Sequence, residues 1–390
     1  MSITLRPPRV SSVLPDLSKP LGADSQVIQA AGGSFRIDRV LLEGGRRTNV
    51  ELLVVDTGNV RAAIIPTRGL GLWRANIDGV ECGWKSPVDG PIHPQWVAVP
   101  ESSGLGWLDG FDELMVRCGL RSFGAPDFDP KSNRLAFPLH GRIANLPTSK
   151  LTVEVDAAHS LLHVSGTVCE SRFLQYNVRL TAKYTFALGS SVISMHDTVT
   201  NDSDTPTTVQ MLYHVNIGRP LLGKGSKMYL GASRIVARDA HAADDVKSWA
   251  EYPDAKAGYV EQVYFSASAP KADHWASSLL TSPAGDKGFA VHYDTRTLPF
   301  FTQWKNTVGD NDGYVTGLEP GTGFPNPRSF EEKQGRVVTL DAGKSVEFQV
   351  KLEALSTQAK VSALAAALQA QQGTAVETVG FDENWCTPRG

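Results

Sequence analysis

The sequence predicts an all-β fold, an antiparallel β-sandwich with few and peripheral helices, on three observations. Apolar residues recur at every second position through residues 151–199, as half-buried strands require. The apolar runs are short, and clusters of Gly, Asp, Asn, Ser and Pro separate them. Helical spacing is scarce, with one Ala-rich segment as the clear case. Many short strands joined by tight turns are the pattern of sandwiches and barrels.

Taken in chain order, residues 1 to about 30 lack strong periodicity and read as an arm laid over the sandwich or over a partner subunit, the latter implying a homodimer. ELLVV (51–55) and VRAAII (60–65) are strands divided by DTGN. From 151 to 199 the alternation is most regular. In KLTVEV, Leu151, Val153 and Val155 share a face. In VISMHDTV, Ile193, Met195 and Val199 share one, with Asp197 as its polar exception. AAHS, LGSS and NDSDTP supply the turns. Downstream, LDAGKS divides RVVTL from VEFQVKLEAL. KVSALAAALQAQQ (360–372) is helical, with Gly373 as its stop. No linker rich in Gly, Ser or Pro cuts the 390-residue chain, so one domain is expected.

Composition narrows the function classes. Hydrophobic residues make up 41% and charged ones 20%, with a net charge of −3, so no basic surface calls for nucleic acid or anionic lipid. No run approaches the ~20 apolar residues of a membrane span. The N-terminal MSITLRPPRVSSVLPDLSKP carries charge and proline where a signal peptide needs an apolar core, so a cytoplasmic location is expected. Cys82, Cys118, Cys169 and Cys386 are widely spaced, which fits reduced, mostly buried thiols better than a zinc site or a disulfide framework.

Four stretches depart from plain strand and turn. PTRGLGLWRANIDG (66–79) places Arg68 before two glycines. LHGRIANLP (139–147) has a His140–Gly141 step. LYHVNIGRPLL (212–222) sets His214 in an apolar strand. YVTGLEPGTGFPNPR (314–328) ends a strand on Glu319 and enters a Gly/Pro-rich loop. Each has a plain explanation: a solvated arginine, a turn histidine, a satisfied core histidine. Glu319 is the odd one, because a carboxylate beside an apolar strand end is costly to desolvate without a partner. Together, a carboxylate, two imidazoles, an arginine and nearby tryptophans suit a sugar site. Glutamate supplies a base and histidine an acid near neutral pH. Trp73, Trp84, Trp107 and Trp304 are candidate platforms for a pyranose ring, Trp304 best placed, one strand before Glu319.

On these motifs the chain resembles the aldose 1-epimerase (galactose mutarotase-like) superfamily, and more closely its DUF4432 branch. HGRIANLP (140–147) is similar to the HG-x-x-x-N-x-P segment of hexose-phosphate mutarotases. LYHVNIG is similar to the family's catalytic histidine strand, and GLEP (317–320) to the strand of its catalytic glutamate. The resemblance implies a galactose mutarotase-like antiparallel β-supersandwich over residues 31–358. An N-terminal arm (1–30) and a C-terminal helix and tail (359–390) would pack on it. It implies Glu319 as general base, His214 as general acid, and His140 holding the sugar near its ring oxygen. Arg68 or Arg117 would enter the site, Arg68 favoured because it follows a strand directly. Asn145 and Asn216 would bind hydroxyls or support the groups that do. No metal or organic cofactor is implied.

The loop GTGFPNPRS departs from the glutamate loop of galactose-specific members, and the aspartate they use for hydroxyls has no match. The implied reaction is exchange of sugar anomers through the open chain. Two other readings stay open: a carbohydrate-binding or sensing protein without chemistry, and another sugar isomerase on the same fold. A glycosidase would need a second carboxylate, for which Asp109, Asp112 and Glu113 are the only cluster, otherwise an acidic turn on a solvated face.

Overall fold

The computed structural model describes residues 1–268, 272–372 and 376–387. Its strands form two large sheets, of nine and of fifteen strands, and a two-stranded ribbon. Pairing is antiparallel except where Arg9–Ser11 lies on Gly33–Leu42 and Arg234–Ala237 on Glu377–Val379. This is the all-β architecture expected from the alternating pattern.

In the nine-stranded sheet, period-2 sequence gives period-2 burial. Leu161–Arg172, Tyr176–Ala187 and Val192–Asn201 pair in succession, each burying one face and leaving the other partly solvated. The fifteen-stranded sheet is different at its centre. Thr207–Gly218 pairs with Met115–Leu120 on one side and Val315–Gly321 on the other, and Phe300–Asn306 follows. From Val209 onward Thr207–Gly218 is buried on both faces, and Val315–Gly321 throughout. The inner face, with Met211, Tyr213, Val215 and Leu318, packs on Leu162, Val164, Leu180 and Tyr184 in the main core. The outer face meets a separate cluster of Trp84, Trp107, Phe111, Val116, Cys118 and Leu212. The 3-10 turns Gly106–Gly110 and Ile143–Asn145 bring part of that cover.

The N-terminal segment is stitched into both sheets. Ser2–Ile3 pairs with Lys150–Asp156, while Arg9–Ser11 and Gln26–Ala30 flank Gly33–Leu42. The hairpin of Gln26–Ala30 and Gly33–Leu42 thus straddles the boundary expected near residue 31. The predicted helix runs Gln358–Gln372 and buries Val361, Ala365 and Leu368 against Leu279, Ala290 and Leu355. Its expected stop, Gly373, lies outside the described residues. A short helix, Arg328–Lys333, occupies part of what reads in sequence as loop after Glu319. The cysteines are free thiols, three buried and Cys169 exposed. Among the described residues no helix is long and apolar enough to cross a membrane.

Candidate active site

Alternation along three neighbouring strands decides which side chains meet on the outer face. In Thr207–Gly218 the register puts Leu212, His214 and Asn216 outward and Tyr213, Val215 and Ile217 inward. In Val315–Gly321 the outward set is Gly317, Glu319 and Gly321, and Thr302 and Trp304 stand opposite Glu319 and Gly317. His214 and Glu319 are therefore neighbours across a strand pair, with Nε2 and Oε1 3.3 Å apart and side chains only 5% and 2% exposed. The close approach depends on Gly317: a Cβ there would lie 2.3 Å from Glu319 Oε1 and 3.2 Å from His214 Cε1.

Asn216 fixes the histidine. Its Nδ2 donates to the carbonyls of Glu113 (3.0 Å) and His214 (3.1 Å), which turns Oδ1 toward His214 Nδ1 at 2.6 Å. Nδ1 must then carry a proton, leaving Nε2 as the nitrogen presented to Glu319. The contact with Glu319 lacks hydrogen-bond alignment, so Oε1 is a buried acceptor without a hydrogen-bond partner. Burial, then the charge of Glu261, pushes the Glu319 carboxyl well above its ordinary range. Burial, then His140, pushes the His214 imidazole well below 6.5. Both shifts favour the neutral forms, with the exchangeable proton of the pair on Glu319 rather than on His214 Nε2.

Rings enclose the pair. His214 has Phe111 at 5.1 Å, His140 at 5.2 Å, Trp304 at 5.6 Å and Trp107 at 6.2 Å between centroids. His140 stacks at a tilt on Trp107 at 4.5 Å, and its Nδ1 donates to the Phe123 carbonyl at 2.8 Å. That bond leaves Nε2 an acceptor, and burial lowers the His140 pKa to about 4, so the ring is neutral. Trp304 Nε1 donates to Glu261 at 2.6 Å, and Arg238 holds the other oxygen of Glu261 at 3.0 Å. The indole N–H of Trp107 and the hydroxyl of Thr302 are buried without partners. Buried polar groups are normally satisfied, so two unpartnered donors beside an unpartnered carboxylate oxygen set this face apart from a closed network.

The structure brings His140, His214, Asn216, Trp304 and Glu319 together, but separates the two arginines from them. Arg68 is buried and gives four hydrogen bonds, from Nε to Glu113 (2.9 Å) and from its two Nη atoms to Ile92, Asn145 and Gly110 oxygens, while Nη2 also lies 2.8 Å from Glu113 Oε1. It supports the site from behind, since the Glu113 carbonyl also anchors Asn216. Asn145 accepts from Arg68 at 2.8 Å, and its own Nδ2 is buried and unpartnered. Arg117 points the other way, into the core, where it grips Asp197 through Nε (2.5 Å) and Nη2 (3.0 Å). Asp197, the polar exception of its strand, is the reason that arginine can be buried.

Of the acidic cluster, only Asp109 is solvated as expected from sequence. Asp112 and Glu113 are buried, Glu113 bound to Arg68 and Asp112 through Oδ2 to the Trp73 indole at 2.8 Å, and neither is in contact with Glu319. The N–H groups of Trp73 and Trp84 are spent on Asp112 and the Glu113 carbonyl, and Trp84 packs on Phe111 at 4.9 Å. Phe111, Gly317, Glu261 and Arg238 escaped sequence reasoning. Only Gly317 left a signal, a residue without a side chain two positions before Glu319 and therefore on its face. Among the described residues no cluster of three or more His, Cys, Asp or Glu could hold a metal ion.

A family model described as a domain of unknown function, DUF4432, matches residues 47–354. A solved structure of a provisionally assigned aldose 1-epimerase from Klebsiella pneumoniae subsp. pneumoniae is 30% identical, covers 95% of this chain and 100% of its own, and superposes with a TM-score of 0.86. A galactose mutarotase-like protein from Clostridium acetobutylicum is 13% identical over 82% of this chain and 98% of its own, TM-score 0.56. A galactose 1-epimerase from Lactobacillus acidophilus is likewise 13% identical over 82% and 98%, TM-score 0.52. At that identity these last two speak to the fold alone. A search of curated proteins by sequence finds no match.

Proposed function

The chain belongs to the DUF4432 family and has a galactose mutarotase-like fold, and from that premise we propose that it interconverts the α and β anomers of an aldose or aldose derivative. The observation that carries the reading is the His214–Glu319 pair, 3.3 Å apart, buried and enclosed by rings. Ring opening needs a proton removed from the anomeric hydroxyl and another delivered to the ring oxygen. Those two oxygens are bonded to the same carbon, so an acid and a base a few ångströms apart on one face can serve both.

A sugar hydroxyl entering beside Glu319 Oε1 gives that oxygen the partner it lacks. Glu319 then acts as carboxylate base toward the anomeric hydroxyl, its proton having passed to His214 Nε2, which delivers it to the ring oxygen. Asn216 steadies the imidazolium through Nδ1. The C1–C2 bond rotates in the open chain, and closure reverses both transfers. His140, a neutral ring with Nε2 as acceptor, receives a sugar hydroxyl, and Trp107 and Trp304 offer apolar faces. Each placed acid or base contributes ~10²–10⁴-fold. Arg68 supports Asn145 and Glu113 rather than binding the sugar, and Arg117 belongs to the core.

NMR exchange spectroscopy on a panel of aldoses, sugar phosphates and uronic acids tests this. Faster exchange between α and β signals for one compound, lost in His214→Asn, is the expected result. Broadening without exchange across the panel would favour a binding or sensing protein, and a product of different connectivity would make it another isomerase.

A further inference from the structure

A cavity of about 230 Å³ lies beyond the turn that carries His140. Pro138, Gly141 and Arg142 line it, whereas the His140 ring between them faces His214 on the other side. The walls are cationic: Arg121, Arg142 and Arg172 converge there, and among the described residues none is ion-paired. Arg121 is held in place by the Tyr176 ring, 4.9 Å from its guanidinium carbon, and by Thr207 Oγ1 at 2.7 Å, yet its Nε is buried and unpartnered. Arg142 and Arg172 give no side-chain hydrogen bond to any described residue.

One carboxylate stands among them. Glu170 is 2% exposed, accepts the Leu120 N–H at 2.8 Å through Oε2, and leaves Oε1 without a partner. The buried Ser122 hydroxyl in the same wall is also unpartnered. Burial pushes the Glu170 pKa up to about 6, against the pull of the Leu120 N–H and of Arg142 and Arg121, so near neutral pH it is mostly an acceptor. Three guanidiniums against one carboxylate leave two positive charges for a guest to balance. The free Oε1 asks that the guest also bring an O–H. The cavity is smaller than the ~300–1,000 Å³ of ordinary ligand pockets, which restricts the guest to a few heavy atoms.

We infer that this cavity is a phosphate site, separate from the sugar site, taking a phosphate dianion that carries its own hydroxyl. The arginines clamp the anionic oxygens, Ser122 donates to one of them, and Glu170 accepts the guest's O–H. Free hydrogen phosphate and a small hydroxylated phosphate monoester share that chemistry. Sulfate, a dianion without a proton, does not.

Isothermal titration of the full chain with inorganic phosphate, glycerol 3-phosphate and sulfate tests it. Saturable binding of one of the first two, at least ~10-fold tighter than sulfate, is expected, and the tighter one identifies the source. Arg142→Ala and Arg172→Ala, which release no protein partner and so leave the fold intact, should each weaken it on the order of 10-fold. Glu170→Gln keeps an acceptor for Leu120 but turns the acceptor facing the guest into a donor, and should erase the preference over sulfate. Sulfate binding as tightly to the native chain, arginine variants that bind unchanged, or no saturable binding would overturn the inference.

Discussion

Tyr213 and His214 are adjacent in one strand, both buried, and each belongs to a cluster of ionisable groups on its own side of the sheet. On the core side, Arg117 pairs bidentately with Asp197, Tyr213 donates to Asp197 at 2.7 Å, and Tyr184 bridges Arg117 and the Leu70 carbonyl. That network is closed on itself. On the outer side, Glu319 Oε1, Trp107 Nε1 and Thr302 Oγ1 have no partner, and the histidine and glutamate are both driven toward their neutral forms. Burial alone does not distinguish them. A charged cluster that satisfies itself holds two sheets together, and one left incomplete is open to a ligand.

The largest expected effect breaks the closed side. Arg117→Leu strands Asp197 and should cost about 3–5 kcal/mol of stability, read from urea denaturation. The protein that remains folded should keep the proposed anomer exchange. On the open side the result inverts: Glu319→Gln or His214→Asn should lower turnover at least ~10²-fold, about 2.7 kcal/mol, with the denaturation midpoint little changed. Loss of stability in place of activity would place the pair with the structural networks.

Gly317→Ala is gentler chemically but puts a methyl 2.3 Å from Glu319 Oε1. Turnover should fall on the order of 10-fold as the pair is forced apart, a cost of ~1.4 kcal/mol. Native turnover would mean that the 3.3 Å approach is not needed.

The smallest effect is a shape. With His214 lowered well below 6.5 and Glu319 raised well above 4.5, the one-proton pair spans the interval between the two shifted values. Below it His214 also protonates and no base remains; above it Glu319 loses the last proton and no acid remains. Turnover should therefore be flat through the middle, with an acid limb below histidine's ordinary 6.5 and an alkaline limb above the carboxylate's ordinary 4.5. An acid limb at 6.5 or higher would contradict the burial of His214.

Much of this was legible in the chain. Period-2 runs and turn clusters determine the sheets, because alternation is a local property that any half-buried strand must have. His140, His214 and Glu319 stand out locally too, as polar groups beside apolar strands. The arginines show the limit. Arg68, just past a strand end, and Arg117, within a strand, both sit at positions that suit a site, and nothing within a few residues of either reveals its partner. Arg117 meets Asp197 from 80 positions away and Arg68 meets Glu113 from 45. Trp107 and Phe111 reach His214 from a loop about a hundred residues upstream.

By itself, then, the sequence determined the fold class and which residues are chemically unusual, since both follow from side-chain type and spacing along one strand. Only the tertiary structure decided which unusual residues face one another. The face of a strand is fixed by parity, but what covers that face is fixed by strand order, register and loops from distant parts of the chain. A charge finds its counter-charge through those long-range contacts, and that pairing separates an arginine committed to the core from a glutamate left without a partner.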